Sequence, residues 1–348
     1  MSEWKTCELE TVCERLSSGK GILAKMISDT GTFPVYGGNG IRGYTSTSNF
    51  KGDCAIIGRQ GAYCGNVRYF KGEAYMTEHA VVVCANDDNC TRYLAYLLST
   101  MNLGRLSGQS AQPGLSVKTL GKQEIRIPTK DIQIKISELL GSLDEKIKQN
   151  ERINDNLLQQ AQAIYTDMFI SKANPAWQIG HLSDLITVRY GKDHKKLADG
   201  TYPVYGSGGI MRYVERPIYN KESVLIPRKG TLNNVMYVNK PFWSVDTMFF
   251  TEMKLPNVAK FVFHFVKSKD LASLNAGSAV PSMTTDILNA MELPIPDADT
   301  LEKFENIVAP MYLTVQQNTQ ESSKLAELRD SLLPRLMSGK LDVSNLDL

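Results

Sequence analysis

The sequence predicts an α+β protein: two pseudo-symmetric mixed α/β domains joined by two long helices that pair as an antiparallel coiled coil. Three observations predict it. The chain repeats itself once along its whole length, β-type runs are confined to two of its blocks, and two sustained apolar stripes occupy the other two. The repeat opens at Trp4 and Trp177, an offset of 173. It settles to 169 where FPVYGGNG (33–40) meets YPVYGSGG (202–209) and IIGRQG (56–61) meets LIPRKG (225–230). From Asn66 and Asn234 onward the offset is 168, through SAQP (110–113) against SAVP (278–281) and IRIP (125–128) against LPIP (293–296). Solenoid repeats run roughly 20–50 residues, so this period marks a duplicated domain-plus-helix unit.

Composition sets the class. A chain of 348 residues has room for two domains with cores of their own. With 42% hydrophobic and 22% charged residues it reads as soluble and globular, and its apolar runs fall short of the roughly 20 residues of a membrane span. The opening MSEWKTCELE lacks the basic, apolar and small-residue regions of a signal peptide, so a cytoplasmic protein without membrane attachment is expected. All six cysteines lie in the first half, without a CxxC pair. A fold whose second copy has none needs neither disulfides nor zinc, and reduced thiols are expected. Net charge is only +2, so a polyanionic partner would have to be met by local basic groups.

Blocks 1–128 and 173–296 form the two heads. Residues 54–59, 66–70, 79–84 and 123–128 read as strands in the first, and 223–228, 234–239 and 245–250 in the second. Each head also carries one amphipathic helix, at 91–102 and 257–269. Blocks 129–172 and 297–340 are helical. One stripe runs Ile136, Leu140, Leu143, Ile147, Asn150, Asn154, Leu157, Ala161, Ile164, Met168; its counterpart runs Phe304, Val308, Met311, Val315, Asn318, Ser322, Leu325, Arg329, Leu332, Leu336. The alternating spacing of four and three is that of a coiled-coil seam. Asn150 and Asn318 interrupt the two stripes at matched positions, as a register-setting residue would. About 35 residues at 1.5 Å each make a rod of roughly 50 Å, and an antiparallel pair would carry one head near each end, as in a caliper.

Three loops carry the candidate contacts, each at matched places in both copies. VYGGNGIRGY (35–44) and VYGSGGIMRY (204–213) put flexible glycines beside Tyr36, Asn39 and Arg42, or Tyr205, Ser207 and Arg212. These offer stacking, hydrogen bonds and charge, although turn glycines with a purely structural role fit the motif as well. GRQGAYCGN (58–66) and PRKGTLNN (227–234) deliver Arg59 and Arg228 at a strand end, where an arginine can grip phosphate, read guanine or merely be solvated. Beside them Gln60 and Lys229 differ, as two readers of different sequences would. SGQSAQPGLS (107–116) and NAGSAVPSMT (275–284) offer Ser110, Gln112, Ser278 and Ser282, with Ser116 and Thr284 equally natural as helix N-caps. Catalytic patterns are poor. His79, His181, His194 and His264 are non-equivalent in the repeat, and GxxxxGKS/T, HExxH and GxSxG are absent. Asp246, Glu252 and Lys254 only weakly mimic nuclease spacing, because the first copy has Cys84 and Asn86 at the last two places.

This joint pattern resembles the specificity subunit of type I restriction-modification systems over essentially the whole chain. The matching motifs are W-x(4)-L at Trp4–Leu9 and Trp177–Leu182, and Gly19-Lys20 and Gly191-Lys192 ahead of the VYG loops. The strand ending in proline before each long helix and the closing LLPRLMSGKL (332–341) complete the match. The resemblance implies two target-recognition domains, each reading one half of a bipartite site in double-stranded DNA, with the helices setting the spacer. It further implies two modification subunits bringing S-adenosylmethionine and adenine methylation, and restriction subunits bringing ATP- and Mg-dependent translocation and cleavage. This chain itself would be non-catalytic, with no cofactor or metal of its own. Two other functions fit parts of the pattern: a non-DNA coiled-coil scaffold with two ligand-binding heads, and a DNA-modifying enzyme with a fused recognition domain.

Overall fold

A computed structural model describes residues 4–107, 114–274 and 282–344. The chain divides into two compact units, 1–150 with 319–348, and 151–318. The first is therefore completed by a helical piece from the far end of the sequence, whereas the second is one continuous stretch.

In the first unit the elements run β1 (Trp4–Glu8), β2 (Cys13–Ser18), β3 (Phe33–Gly37), β4 (Gly40–Thr45), β5 (Phe50–Gly58), β6 (Val67–Met76), β7 (Ala80–Ala85), α1 (Thr91–Ser99), α2 (Val117–Gly121) and β8 (Glu124–Pro128). They lead into α3 (Lys130–Thr166). Six strands form one sheet in the order β2-β7-β5-β6-β3-β4, and β1 pairs antiparallel with β8. The apolar runs foreseen as strands are β5, β6, β7 and β8. Val81 and Val83, with Ala55 and Ile57, face a core shared with Tyr93, Leu94 and Leu98 of α1 and with Ile136 and Leu140 of α3. Ile56 and Val82 point to the opposite face, as the two-residue strand period requires.

The second unit runs β9 (Ile179–His181), α4 (Leu182–Leu185), β10 (Ile186–Tyr190), β11 (Asp199–Gly206), β12 (Gly209–Val214), β13 (Ser223–Pro227), β14 (Met236–Val238), β15 (Trp243–Ser244), β16 (Met248–Met253), α5 (Ala259–Lys267), α6 (Thr285–Asn289) and β17 (Glu292–Pro294). Last comes α7 (Ala298–Met337). Its sheets are β10-β16-β13-β14, β12-β11-β15 and β17-β9. They repeat the first head with one change: β6 corresponds to two strands, β14 and β15. Between those strands lies Pro241, which has no N–H to give a ladder and confines itself to breaks and edges. Ser116 and Thr284 cap α2 and α6, accepting from the backbone N–H of Thr119 and Ile287.

The helices pair antiparallel, with partner numbers rising on one as they fall on the other. In the first unit Asp144 meets Arg329 at 2.7 Å, and Asn150 donates to Ser322 Oγ at 3.3 Å and Glu321 at 2.7 Å. In the second, Asn318 donates to Asn154 at 2.9 Å, the same contact carried by the repeat. Every position of both stripes is buried or half-buried. Full burial is concentrated toward the helix ends, where the heads add a further layer; in mid-helix two helices alone leave the seam half open.

Each head is tied to its helical support by a cation lying over a tyrosine. Arg92 of α1 lies 5.2 Å from the Tyr69 ring and bonds Glu145 at 2.8 Å and the Gly141 carbonyl at 3.2 Å. Its counterpart Lys260 of α5 lies 5.1 Å from the Tyr237 ring and bonds Glu222 and Glu305. The second unit also packs aromatics against its helices: Tyr165, Phe169, Phe261 and Phe304 pack together, and His264 is held between Gln162 and Tyr312 at 2.9 Å each. Burial lowers the His264 pKa to about 4. A cavity opens beside Arg92 and Lys260 alike: about 750 Å³ in the first unit, ringed by Arg92, Tyr96, Asp144 and Arg329, and about 440 Å³ in the second, lined by Tyr237, Lys260 and Tyr312.

All six cysteines are free thiols, and burial holds Cys13 and Cys54 protonated, Cys13 up to about 12. Among the described residues no helix is long and apolar enough to cross a membrane.

Candidate nucleic-acid interface

In each head a short turn gathers segments that are far apart in sequence. In the first it spans 76–80, between β6 and β7, and is closed by the bond from Ala80 N–H to Thr77 O at 3.0 Å. Thr77 N–H donates to Tyr36 O, which anchors the β3–β4 hairpin at 2.9 Å. Met76 O accepts from Lys20 N–H and Ala80 O from Gly19 N–H, at 2.9 and 3.0 Å. His79 O accepts from Arg59 N–H at 2.9 Å. The second head repeats the set at 244–248: Val245 to Tyr205, Lys192 to Ser244, Gly191 to Met248 and Arg228 to Thr247, at 2.8–3.1 Å. Every donor and acceptor here is backbone, so the frame survives while side chains diverge.

The third loop closes on the second in the same way in both heads. Leu115 N–H donates to Arg59 O at 2.8 Å and Met283 N–H to Arg228 O at 2.9 Å. Gln60 bridges Gly114, and Lys229 bridges Ser282. The hairpin tip completes the surface, since Asn234 donates to Ser207 O at 2.8 Å and Gly38 lies against the backbone of His79 and Gln60. The tip turns through Gly40 and Gly209, at φ +103° and +113°, a region that favours glycine.

On this frame the candidate side chains fall into distinct groups. Asn39, Arg42, Gln60 and Lys229 are exposed. Arg59, Arg228, Ser207 and Ser282 are half-buried. The Arg228 guanidinium lies 5.3 Å from the Tyr190 ring and donates to Asp246 O at 3.3 Å, which holds it at the strand end. Ser110, Gln112 and Ser278 lie outside the described residues.

The tyrosines and Arg212 are placed differently from the exposed candidates. Tyr205 is 8% exposed, packed in the core with Phe242, and Tyr36 is half-buried 5.0 Å from Phe70. Burial pushes both phenols up, Tyr205 to about 12. Tyr205 is a wall of the hairpin and is too enclosed to stack on a base. The Arg212 guanidinium is engaged within the head, bonding Asp199 at 2.8 Å and the Leu197 carbonyl at 2.9 Å. Arg212 is not the partner of Arg42 in the repeat. Arg42 lies across Gly37 as Met211 lies across Gly206, so Met211 is the equivalent and Arg212 points to the other face.

Other groups became visible only in three dimensions. Ile41 and Ile210, 54% and 46% exposed, stand at matched places on the hairpins, and Arg68 reaches Asn39 O at 3.3 Å. The identity of the two isoleucines was the available signal. The gathering turn had none: MTEHA and SVDTM share little, because its role is carried by backbone. Gly38–Gly43 spells G-x-G-x-x-G, but it crosses a β-hairpin instead of a strand-to-helix turn, so it is no dinucleotide loop. Glu252 of the nuclease-like set pairs with Arg189 at 3.0 Å.

The sequence matches the family model of the type I restriction modification DNA specificity domain at residues 1–159 and 174–323. It is 43% identical over 112 residues to the EcoprrI type I restriction enzyme specificity subunit of Escherichia coli, covering 32% of this chain and only 28% of that relative. It is 22% identical over 312 residues to the MjaIX specificity subunit of Methanocaldococcus jannaschii, covering 76% of this chain and 72% of that protein. The fold is similar to the S subunit of a type I restriction-modification system from M. genitalium, with a TM-score of 0.69 at 18% identity over 96% of each chain.

The gathering turn also yields a stability test. A Cβ at Gly19 would collide with the Met76 carbonyl, whereas at Gly21 the nearest atom is 3.8 Å away. Gly19→Ala should cost about 1–3 kcal/mol as overpacking against backbone, and Gly21→Ala should be near neutral. Urea denaturation of both variants checks this; equal stability would mean that the turn is not rigid.

Proposed function

The chain belongs to the family of type I restriction modification DNA specificity domains, which it carries in two copies, and on that premise we propose that it reads an asymmetric two-part site in double-stranded DNA. The observation that carries this reading is the shared frame of backbone bonds with different side chains on it. Asn39 faces Gly208 across the repeat, and Gln60 faces Lys229. Phosphate contacts position a protein while side chains at base edges specify sequence, so two equal frames with unequal tips suit two different half-sites.

In this proposal the chain supplies the address and no chemistry. Two modification subunits bring S-adenosylmethionine and methylate adenine, and restriction subunits bring ATP- and Mg-dependent translocation and cleavage. Ile153, Ile307, Leu313 and Leu328 are 45–54% exposed on the long helices, which supports their being covered by partner subunits. The helices would set the length of the unread spacer. A complex of this kind acts in the cytoplasm.

Sequencing methylated adenines in a host that carries the complete system should return a bipartite, asymmetric motif with a fixed spacer; a palindrome would overturn the proposal. Arg59→Ala and Arg228→Ala should each weaken binding by about 1–3 kcal/mol and relax a single half-site. Equal loss on all sequences would instead make the arginines phosphate grips, and no loss would make them solvated strand ends. For the spacer, seven residues inserted between Gln149 and Asn150, and seven between Gln317 and Asn318, keep the seam in register. A longer spacer between unchanged half-sites is expected. An unchanged spacer in an active complex would assign the distance to the partner subunits.

A further inference from the structure

One matched pair of charges has no role in the reading above: Lys20 and Lys192, which follow Gly19 and Gly191 in the motif ahead of each hairpin. We infer that these two lysines are the sequence-independent phosphate grips of the two heads, placing each reading surface on the duplex without contributing to its choice of bases. This rests on the DNA reading proposed above and divides its contacts into two kinds.

Their backbone is pinned in the same way in both heads. A Cβ at either preceding glycine would collide with a carbonyl of the gathering turn, that of Met76 or of Val245. The lysine's own N–H bonds that turn at 2.9 and 2.8 Å. An aromatic at a matched position then holds the chain just beyond: Tyr75 donates to Gly21 O at 2.9 Å, and Trp243 to Lys192 O at 2.9 Å. The side chains are the reverse, since both are exposed and neither ammonium has a partner among the described residues. Most exposed lysines owe nothing to a built platform. These two stand on one, beside Arg59 and Arg228 on the same turn.

The repeat supplies the second argument. If the heads read different sequences, the one ligand feature common to both half-sites is the sugar-phosphate backbone. A residue that contacts it can stay the same in both heads while readers such as Gln60 and Lys229 diverge. Arg59 and Arg228 are also identical, but the two-donor fork of an arginine can read guanine in either half-site, so identity does not decide their role. A lysine ammonium is a point charge with rotatable donors, which suits phosphate. The modest net charge of +2 makes such placed charges matter, because bulk attraction to a polyanion is small.

The test uses the full chain assembled with its modification subunits, and two duplexes of equal length, one carrying the mapped site and one with that sequence shuffled. Affinity is measured across a salt series for the parent, Lys20→Ala, Lys192→Ala and Lys20→Arg. Each alanine variant should weaken binding by the same factor on both duplexes and lower the slope of log affinity against log salt by about 1, with the mapped methylation motif unchanged. Lys20→Arg, which keeps the charge, should restore the slope. Relaxation of one half-site would overturn the inference by making the lysine a base reader. An unchanged slope in a complex that binds DNA would overturn it too, leaving the wider reading intact. A parent complex that prefers neither duplex and shows no salt dependence would remove the DNA reading itself.

Discussion

The antiparallel pairing of the two long helices is the constraint on which the rest of the structure depends. The first compact unit is not a continuous stretch of chain, since it needs residues 319–348, and the second, though continuous, begins within α3 and ends within α7. Seam residues at both helix ends therefore double as the floor of a head's core, as Ile136 and Leu336 do in one and Ala161 and Phe304 in the other. Polar groups in a seam cost stability relative to apolar ones but penalise misaligned pairings. The matched bonds of Asn150 with Ser322 and Asn318 with Asn154 are of that kind. A slipped register would break both together.

On each head the same economy appears at smaller scale. The gathering turn holds the hairpin, the lysine segment and the strand-end arginine by matched main-chain bonds. Main-chain groups are present whatever the side chain, so duplication could be followed by divergence at every tip without loss of the frame. Binding at such a surface benefits from tips held in place before the ligand arrives, since ordering them then costs less.

The two heads nevertheless differ in how they are supported. Arg92, Asp144 and Arg329 make the first joint a network of charges around an open cavity. In the second the equivalent cavity is smaller, about 440 Å³, and Lys260 is almost fully enclosed between two carboxylates. Salt screens exposed charges strongly and buried ones weakly, so the first joint responds to ionic strength more than the second. The same chain thus joins one head to its helices through solvated charges and the other through an enclosed one, although both heads also rest on packed apolar cores.

Much of this was legible from residues in order. The duplication, the central strands β5 to β8 and β13, β14 and β16, the paired amphipathic helices and the long seam follow from local periodicity, which reports which face of an element is buried. The N-caps Ser116 and Thr284 were legible as well, because capping is decided within one turn. What the sequence could not determine was each side chain's non-local partner. Tyr36 and Tyr205 stand in the same motif, yet one is half-buried and the other lies in the core. Arg212 looks like the counterpart of Arg42, but a bulge and a strand's alternation put it on the other face, bonded to Asp199. The turns at 76–80 and 244–248 bear no common motif, although they hold the hairpin and the strand-end loop in place. Periodicity is a property of neighbours along the chain, whereas enclosure and bonding depend on segments brought together only when the chain folds. The sequence by itself therefore determined the architecture and the loops that could make contact, and only the tertiary structure decided which of their side chains are free to do so.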